Sequence, residues 1–313
     1  TLSAGNHTIT AKAVDAAGNI GAASTAYALT IDTAAPGAPT GLSLDPSTDS
    51  GTVGDGVTNF SQAKIDGTAE ASSTVTLYDS NGTTVLGTGV ANATTGSFSI
   101  TTSTLSSGNH TITAKATDAA GNVSAASAGY SVTINNTGPS APTGLALDTT
   151  TDSGVAGDAI TNITQAKIDG IAGAGTTVTL YDSNGTTVLG TGVADATTGA
   201  FGITTFALSN GTHNITAKAT DSAGNISAAS TAYALTIDTT APASPTGLSL
   251  DPSTDSGTVG DGITNFSQVK IDGTAEAGST VTLYDSNGTT VLGAGVANAT
   301  TGAFGITTST LSA

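Results

Sequence analysis

An all-β chain of tandem sandwich domains is what three features of the sequence predict. Apolar and polar residues alternate with period two, the whole pattern returns every 103 positions, and no stretch carries convincing helical periodicity. The return is plainest at residues 44–59, LDPSTDSGTVGDGVTN, which recur as LDTTTDSGVAGDAITN at 147–162 and LDPSTDSGTVGDGITN at 250–265. Asp15, Asp118 and Asp221 keep the same spacing, as do His7, His110 and His213. Such a period is too long for a solenoid turn and fits one small domain per repeat.

Within one unit the elements follow in order. Residues 41–45 make a short first strand. Residues 62–70 turn Ala63, Ile65, Gly67 and Ala69 inward and Lys64, Asp66, Thr68 and Glu70 outward. Residues 74–79 bury Val75 and Leu77, and Ser80-Asn81-Gly82 supplies a tight hairpin turn because Asn-Gly readily takes positive φ. Strands at 83–90 and 97–102 follow, the second with Phe98 and Ile100 inward. Residues 110–118 bury Ile112, Ala114 and Ala116, and 128–135 bury Tyr130, Val132 and Ile134. Seven strands in about 100 residues, with turn signals every ten or so, predict an immunoglobulin-like β-sandwich.

Paired prolines at 36/39, 139/142 and 242/245 join the units and favour short, stiff, extended connections. They divide the chain into 1–36 (the last two strands of a repeat), 37–139 and 140–242 (complete repeats), and 243–313 (the first five strands of a repeat). The expectation is either a window on a longer array or a chain whose first two strands complete the last unit of a neighbour, giving a head-to-tail filament by strand addition. The partners expected are therefore neighbouring repeats and, in the second case, other copies end to end.

Composition narrows the function. Only 9% of the 313 residues are charged, and 23 acidic groups against six lysines and no arginine give a formal charge of −17. Nothing could neutralise phosphates, which argues against nucleic acid or anionic membranes. There is no cysteine, so no disulfide or thiolate metal site, and no apolar run long enough to span a bilayer. No nucleophile elbow or metalloprotease spacing is present, and the isolated histidines are expected to play a surface role, so no enzyme is predicted. A glycan-binding module is a further alternative, weakened by the few and mostly inward aromatics.

The acidic loops carry the functional expectation. Asp45, Asp49, Asp55 and Asn59 recur as Asp148, Asp152, Asp158 and Asn162, then as Asp251, Asp255, Asp261 and Asn265, with no basic residue to offset their charge. Two carboxylates drawn to about 5 Å repel by roughly 3 kcal/mol at an effective dielectric near 20. Hard oxygen ligands on a Gly-rich backbone suit Ca²⁺. Strand counting puts these loops and the last-strand ends (Asp32, Asn135, Asp238) at the bottom of a unit, and the turns at Asp15, Asp118 and Asp221 at the top. Bottom faces top across each linker, so all these residues except Asn135 are candidate ligands of a calcium-stiffened junction. Asp followed by Ala-Ala-Gly is also ordinary turn chemistry, and for Asp118 and its equivalents both roles stay open.

Three segments together resemble a known family: GTAEAGSTVTLYDSNGTTVLGAG at 273–295, HTITAKATDAAGNVSAAS at 110–127 and TIDTTAPASPTGLSLD at 236–251. They are similar to the bacterial immunoglobulin-like repeats in the extender regions of large adhesins exported by type I secretion, including biofilm-associated and repeats-in-toxin adhesins. The resemblance implies an extracellular rod that projects adhesive end domains, with calcium rigidifying the joints, and carries over onto Asp49, Asp55, Asn59 and their equivalents. Two departures stand out. Asn135-Asn136-Thr137-Gly138 replaces the Asp-Thr-Thr-Ala at 238, and Gly173 stands where the other repeats have Glu70 and Glu276.

Overall fold

The computed structural model describes residues 1–311, and every regular element among them is a strand. The chain divides into two compact units, Thr1–Asp238 and the remainder from Thr239.

The first complete repeat runs β3 (Thr40–Leu44), β4 (Val57–Thr58), β5 (Lys64–Thr68), β6 (Thr74–Tyr78), β7 (Val85–Val90), β8 (Ser97–Thr101), β9 (Gly108–Thr117) and β10 (Tyr130–Ile134), after β1 (Gly5–Ile9) and β2 (Tyr27–Ile31). One sheet has the order β3-β5-β8, the other β4-β10-β9-β6-β7. All pairs are antiparallel except β4 on β10, which run parallel with Val57 opposite Thr133 and Thr58 opposite Ile134. Seven strands fall where the alternation places them. The two-residue β4 is an addition inside what reads as loop, because two residues are too few to show a period.

Between the sheets lie the inward residues of the pattern. Ile65, Val75, Leu77, Ile112 and Val132 are fully buried, with Phe98, Ile100 and Ile134 nearly so. Each large aliphatic contributes about 1.5–3 kcal/mol of transfer free energy on burial. Gly67 is inward for a steric reason: a Cβ there would lie 2.5 Å from Cζ of Phe98, so the ring occupies the space a side chain would need. The loop between β6 and β7 is longer than a two-residue hairpin. Gly82 takes φ 69°, the Gly82 N–H donates to the Asp79 carbonyl, and Asn81 Oδ1 accepts from the N–H groups of Thr83 and Thr84, so pairing resumes only at Val85.

The second complete repeat copies this with β11 (Thr143–Leu147), β12 (Ile160–Thr161), β13 (Lys167–Ile171), β14 (Thr177–Tyr181), β15 (Val188–Val193), β16 (Ala200–Thr204), β17 (Gly211–Thr220) and β18 (Tyr233–Ile237), in the same sheet orders. Ahead of both, β1 and β2 pair as β9 and β10 do. In the second unit β19 (Thr246–Leu250), β20 (Lys270–Thr274) and β23 (Ala303–Thr307) form one sheet, and β21 (Thr280–Tyr284) with β22 (Val291–Val296) the other. A groove of about 980 Å³ lined by Leu250, Ile263, Phe266, Val269, Ile271 and Leu283 lies where β9 and β10 pack in a complete repeat. No helix is long and apolar enough to cross a membrane among the described residues.

Candidate functional site

Hydroxyl groups, more than carboxylates, shape the loop at 45–59. Thr58 is fully buried on β4 and its Oγ1 donates to the Thr48 carbonyl at 2.7 Å. Thr48 Oγ1 accepts from the Lys64 N–H, which ties the loop to β5. Ser50 Oγ accepts from the Asn59 N–H at 2.8 Å, closing the loop on itself. Asn162 and Asn265 repeat this bond with Ser153 and Ser256. Thr48, Ser50 and Thr58 were not singled out from the sequence, because Ser and Thr fill every loop of this chain. Their recurrence at one spacing was the available signal.

The aspartates of the loop part into three environments. Asp45, Asp148 and Asp251 are ion-paired to Lys64, Lys167 and Lys270 at 2.9, 2.6 and 2.6 Å. The loop therefore does have a compensating cation, supplied by the facing strand, which corrects the expectation of uncompensated charge. The Ser47 hydroxyl and the Lys64 ammonium hold the Asp45 carboxyl well below the usual range, and Lys167 with Thr150 does the same to Asp148. Asp55, Asp158 and Asp261 are exposed turn formers, each accepting the N–H two residues on at 2.8 Å.

Asp49, Asp152 and Asp255 differ from both. Their Oδ2 accepts a single N–H, from Gly54, Gly157 and Gly260, at 2.6–2.7 Å. In all three, Oδ1 is buried with no hydrogen-bond partner. A buried carboxylate oxygen without a donor is costly, and a hard cation is one partner that would satisfy it. Among the described residues no three Asp, Glu or His side chains gather as a metal-holding group. Any ion at this oxygen would therefore complete its shell from carbonyls, hydroxyls and water.

The turns at the other end are capped by their own aspartates. Asp118 Oδ1 accepts from the N–H groups of Ala120 and Asn122, and Oδ2 accepts from Asn122 Nδ2, as in the turn at Asp15. The turn at Asp221 then meets the preceding repeat. Ser50 Oγ donates to the Ala223 carbonyl at 2.6 Å, and the Thr52 N–H donates to the Ser222 carbonyl at 3.0 Å. Gly51 lies between them with φ 73°, where a Cβ would stand 1.9 Å from the Ser222 oxygen. Asn225 Nδ2 donates to the Asn135 carbonyl at 2.8 Å, and Asn135 Nδ2 donates to Asp221 Oδ2 at 3.0 Å. One junction earlier, Asn122 Nδ2 donates to the Asp32 carbonyl at 3.2 Å, while Asp32 Oδ1 accepts from the Ala34 N–H. Asp238 donates its own N–H to the Thr161 carbonyl, at the foot of β18.

In the complete repeats the histidines are not surface residues. His110 and His213 are each only 9% exposed. Nδ1 faces the carboxylate of Asp79 or Asp182 at 3.0–3.1 Å, and Nε2 faces the carbonyl of Ser106 or Ser209 at 3.0 Å. Both ring nitrogens meet acceptors, and for His213 this favours the doubly protonated ring.

Comparison with known proteins adds four findings. The family described as "Bacterial Ig-like domain" matches residues 36–136 and 139–239. Exoglucanase B of Cellulomonas fimi is 35% identical over 283 residues, covering 83% of this chain, which spans 23% of that protein's length. Among solved structures, a tetra-tandem repeat from the extending region of a large adhesion protein covers 99% of this chain and 75% of its own, at 24% identity and TM-score 0.28. The BSP domain of a biofilm-associated protein covers 59% of this chain and 29% of its own, at 22% identity and TM-score 0.25.

Proposed function

The chain belongs to the bacterial Ig-like domain family, and from that premise we propose that it is a calcium-stiffened spacer in a bacterial cell-surface adhesin, holding adhesive domains away from the cell for attachment or biofilm formation. The observation that carries the reading is the seating of one repeat on the next, Ser50, Gly51 and Thr52 against Ser222–Gly224, with Asn135 and Asn225 beside them. Repeats locked end to end by backbone and amide bonds make a rod, and a rod transmits position. The reading gives the chain no catalytic role.

Calcium enters through Asp49, Asp152 and Asp255, whose buried Oδ1 atoms fit a hard cation. Asp45 and its equivalents fit less well, since lysine already neutralises them. Bound in the native state only, the ion would add stability by mass action at the millimolar concentrations found outside cells. The test is a melting curve of the chain in chelator and in millimolar Ca²⁺, repeated on D49N/D152N/D255N. A higher Tm in calcium that the triple variant abolishes is expected; coincident curves for the unmodified chain would remove calcium from the proposal.

A second reading is favoured by the match to Exoglucanase B. The same rod would then separate the modules of a secreted polysaccharide-degrading enzyme. Sequencing the gene on both sides of this segment distinguishes them: a catalytic domain on the same chain supports the enzyme, adhesive and secretion modules the adhesin.

A further inference from the structure

The two junctions within Thr1–Asp238 share backbone contacts and differ in charge. The asparagine of each top turn donates to the carbonyl at the end of the preceding last strand, Asn122 to Asp32 and Asn225 to Asn135. Position 135 thus stands to Asp221 as position 32 stands to Asp118. At the later junction the side chain is an amide, and Asn135 Nδ2 donates directly to Asp221 Oδ2 at 3.0 Å. At the earlier one it is a carboxylate, which has no hydrogen to give. A second substitution works in the same direction. Gly173 faces the linker, with its Cβ direction 3.7 Å from Cβ of Pro139, where the repeat before has Glu70. Asp32, Glu70 and Asp118 are therefore three acidic positions at the first junction, whereas Asp221 is the sole acidic one among their counterparts Asn135, Gly173 and Asp221 at the second.

We infer that Asn135 makes the junction between the two complete repeats independent of cations: its amide gives Asp221 a covalently attached donor from the neighbouring repeat, whereas at the other junction the Asp32 carboxylate accepts from its own Ala34 N–H and offers Asp118 none. An amide donor on a carboxylate is a charge-assisted hydrogen bond and needs no counter-ion. Ser50 and Thr52 hold the same junction from the facing loop through neutral bonds. A further anchor is the linker itself, where Ser107 Oγ donates to Asn136 Oδ1 at 2.6 Å. Calcium at Asp49, in the same loop, would then stabilise the repeat beneath this joint without being needed to close it. This rests on the spacer reading, and it predicts rigidity in chelator at one defined place.

The chain has no cysteine, so a pair introduced at Val90 and Val193, 68% and 69% exposed on β7 and β15, takes spin labels at those two sites alone. Pulsed electron resonance then measures the distance across this junction in the 313-residue chain. A single narrow distribution in EDTA, unchanged by millimolar Ca²⁺, is expected for the labelled parent. N135D, a residue type that positions 32 and 238 already carry, should broaden the distribution in EDTA. A parent distribution that is broad in EDTA and narrows on adding calcium overturns the inference, as does an N135D distribution that stays narrow in EDTA. If the melting curve of the chain ignores calcium while the parent distance stays narrow, the calcium reading fails and this one survives.

Discussion

At the scale of single residues, the histidine on β17 shows how a buried charge is kept. Burial works against the His213 imidazolium, but the Ser209 carbonyl and the Asp182 carboxylate outweigh it, so its pKa is raised. Burial likewise works against the Asp182 carboxylate, yet the Ser183 N–H and His213 leave its pKa lowered. A raised pKa in the folded state means that protonation favours folding. The His213 contribution is complete below the unfolded value near 6.5 and is lost as pH rises through the folded value. The Asp182 contribution has the opposite sense: present above about 4, it is lost as pH falls. Melting temperature should therefore decline from pH 6 towards pH 8, and less so in H213Q, which keeps a donor towards Asp182 without titrating. Equal declines for parent and variant would assign the pH dependence elsewhere. The sequence did not reveal this pair, since His213 and Asp182 are 31 positions apart and meet only through the pairing of β14 with β17.

At the scale of elements, the alternation of Ile65, Val75, Leu77, Ile112 and Val132 was enough to place seven strands to within about two residues, because a two-faced sheet leaves its period in the sequence. What lay outside that period was not legible. The parallel β4 has no repeat length to detect, and the Lys64–Asp45 pair joins residues 19 positions apart across β3 and β5. The candidate site was legible in its location but not in its division of labour. Identical residue types at Asp45, Asp49 and Asp55 serve an ion pair, a half-satisfied buried oxygen and an exposed turn. Glycine inside β5 is an element-level constraint, repeated at Gly170 against Phe201 and Gly273 against Phe304. Filling that space in G67A forces the buried Phe98 ring aside and should destabilise by about 1–3 kcal/mol in urea unfolding. A loss below about 0.5 kcal/mol would mean that the ring has room to move.

At the largest scale the structure fixes, the end-to-end order of the two complete repeats depends on the space at one small residue. Gly51 meets Ser222 so closely that any side chain must separate the two repeats, and its φ of 73° disfavours one as well. G51V should leave each sandwich folded, with far-ultraviolet dichroism unchanged, while the distance between labels at Val90 and Val193, across this junction, broadens. An unaltered distance distribution would show that the Asn135 and Asn225 bonds hold the joint alone.

The parallel pairing of β4 with β10 has a mechanical consequence. Once the entering strand β3 is freed from β5, load passes to β4, which lies beside the departing strand β10 and runs the same way, bridged by the Thr133 N–H to the Gly56 carbonyl and the Asn135 N–H to the Thr58 carbonyl, both 2.8 Å. Tension along the chain pulls these two segments in opposite directions along their common length. The bridges are then loaded in shear and must rupture together, unlike a zipper that opens one tooth at a time. A repeat wired in this way resists drag most strongly along the very line on which flowing water would stretch a tether.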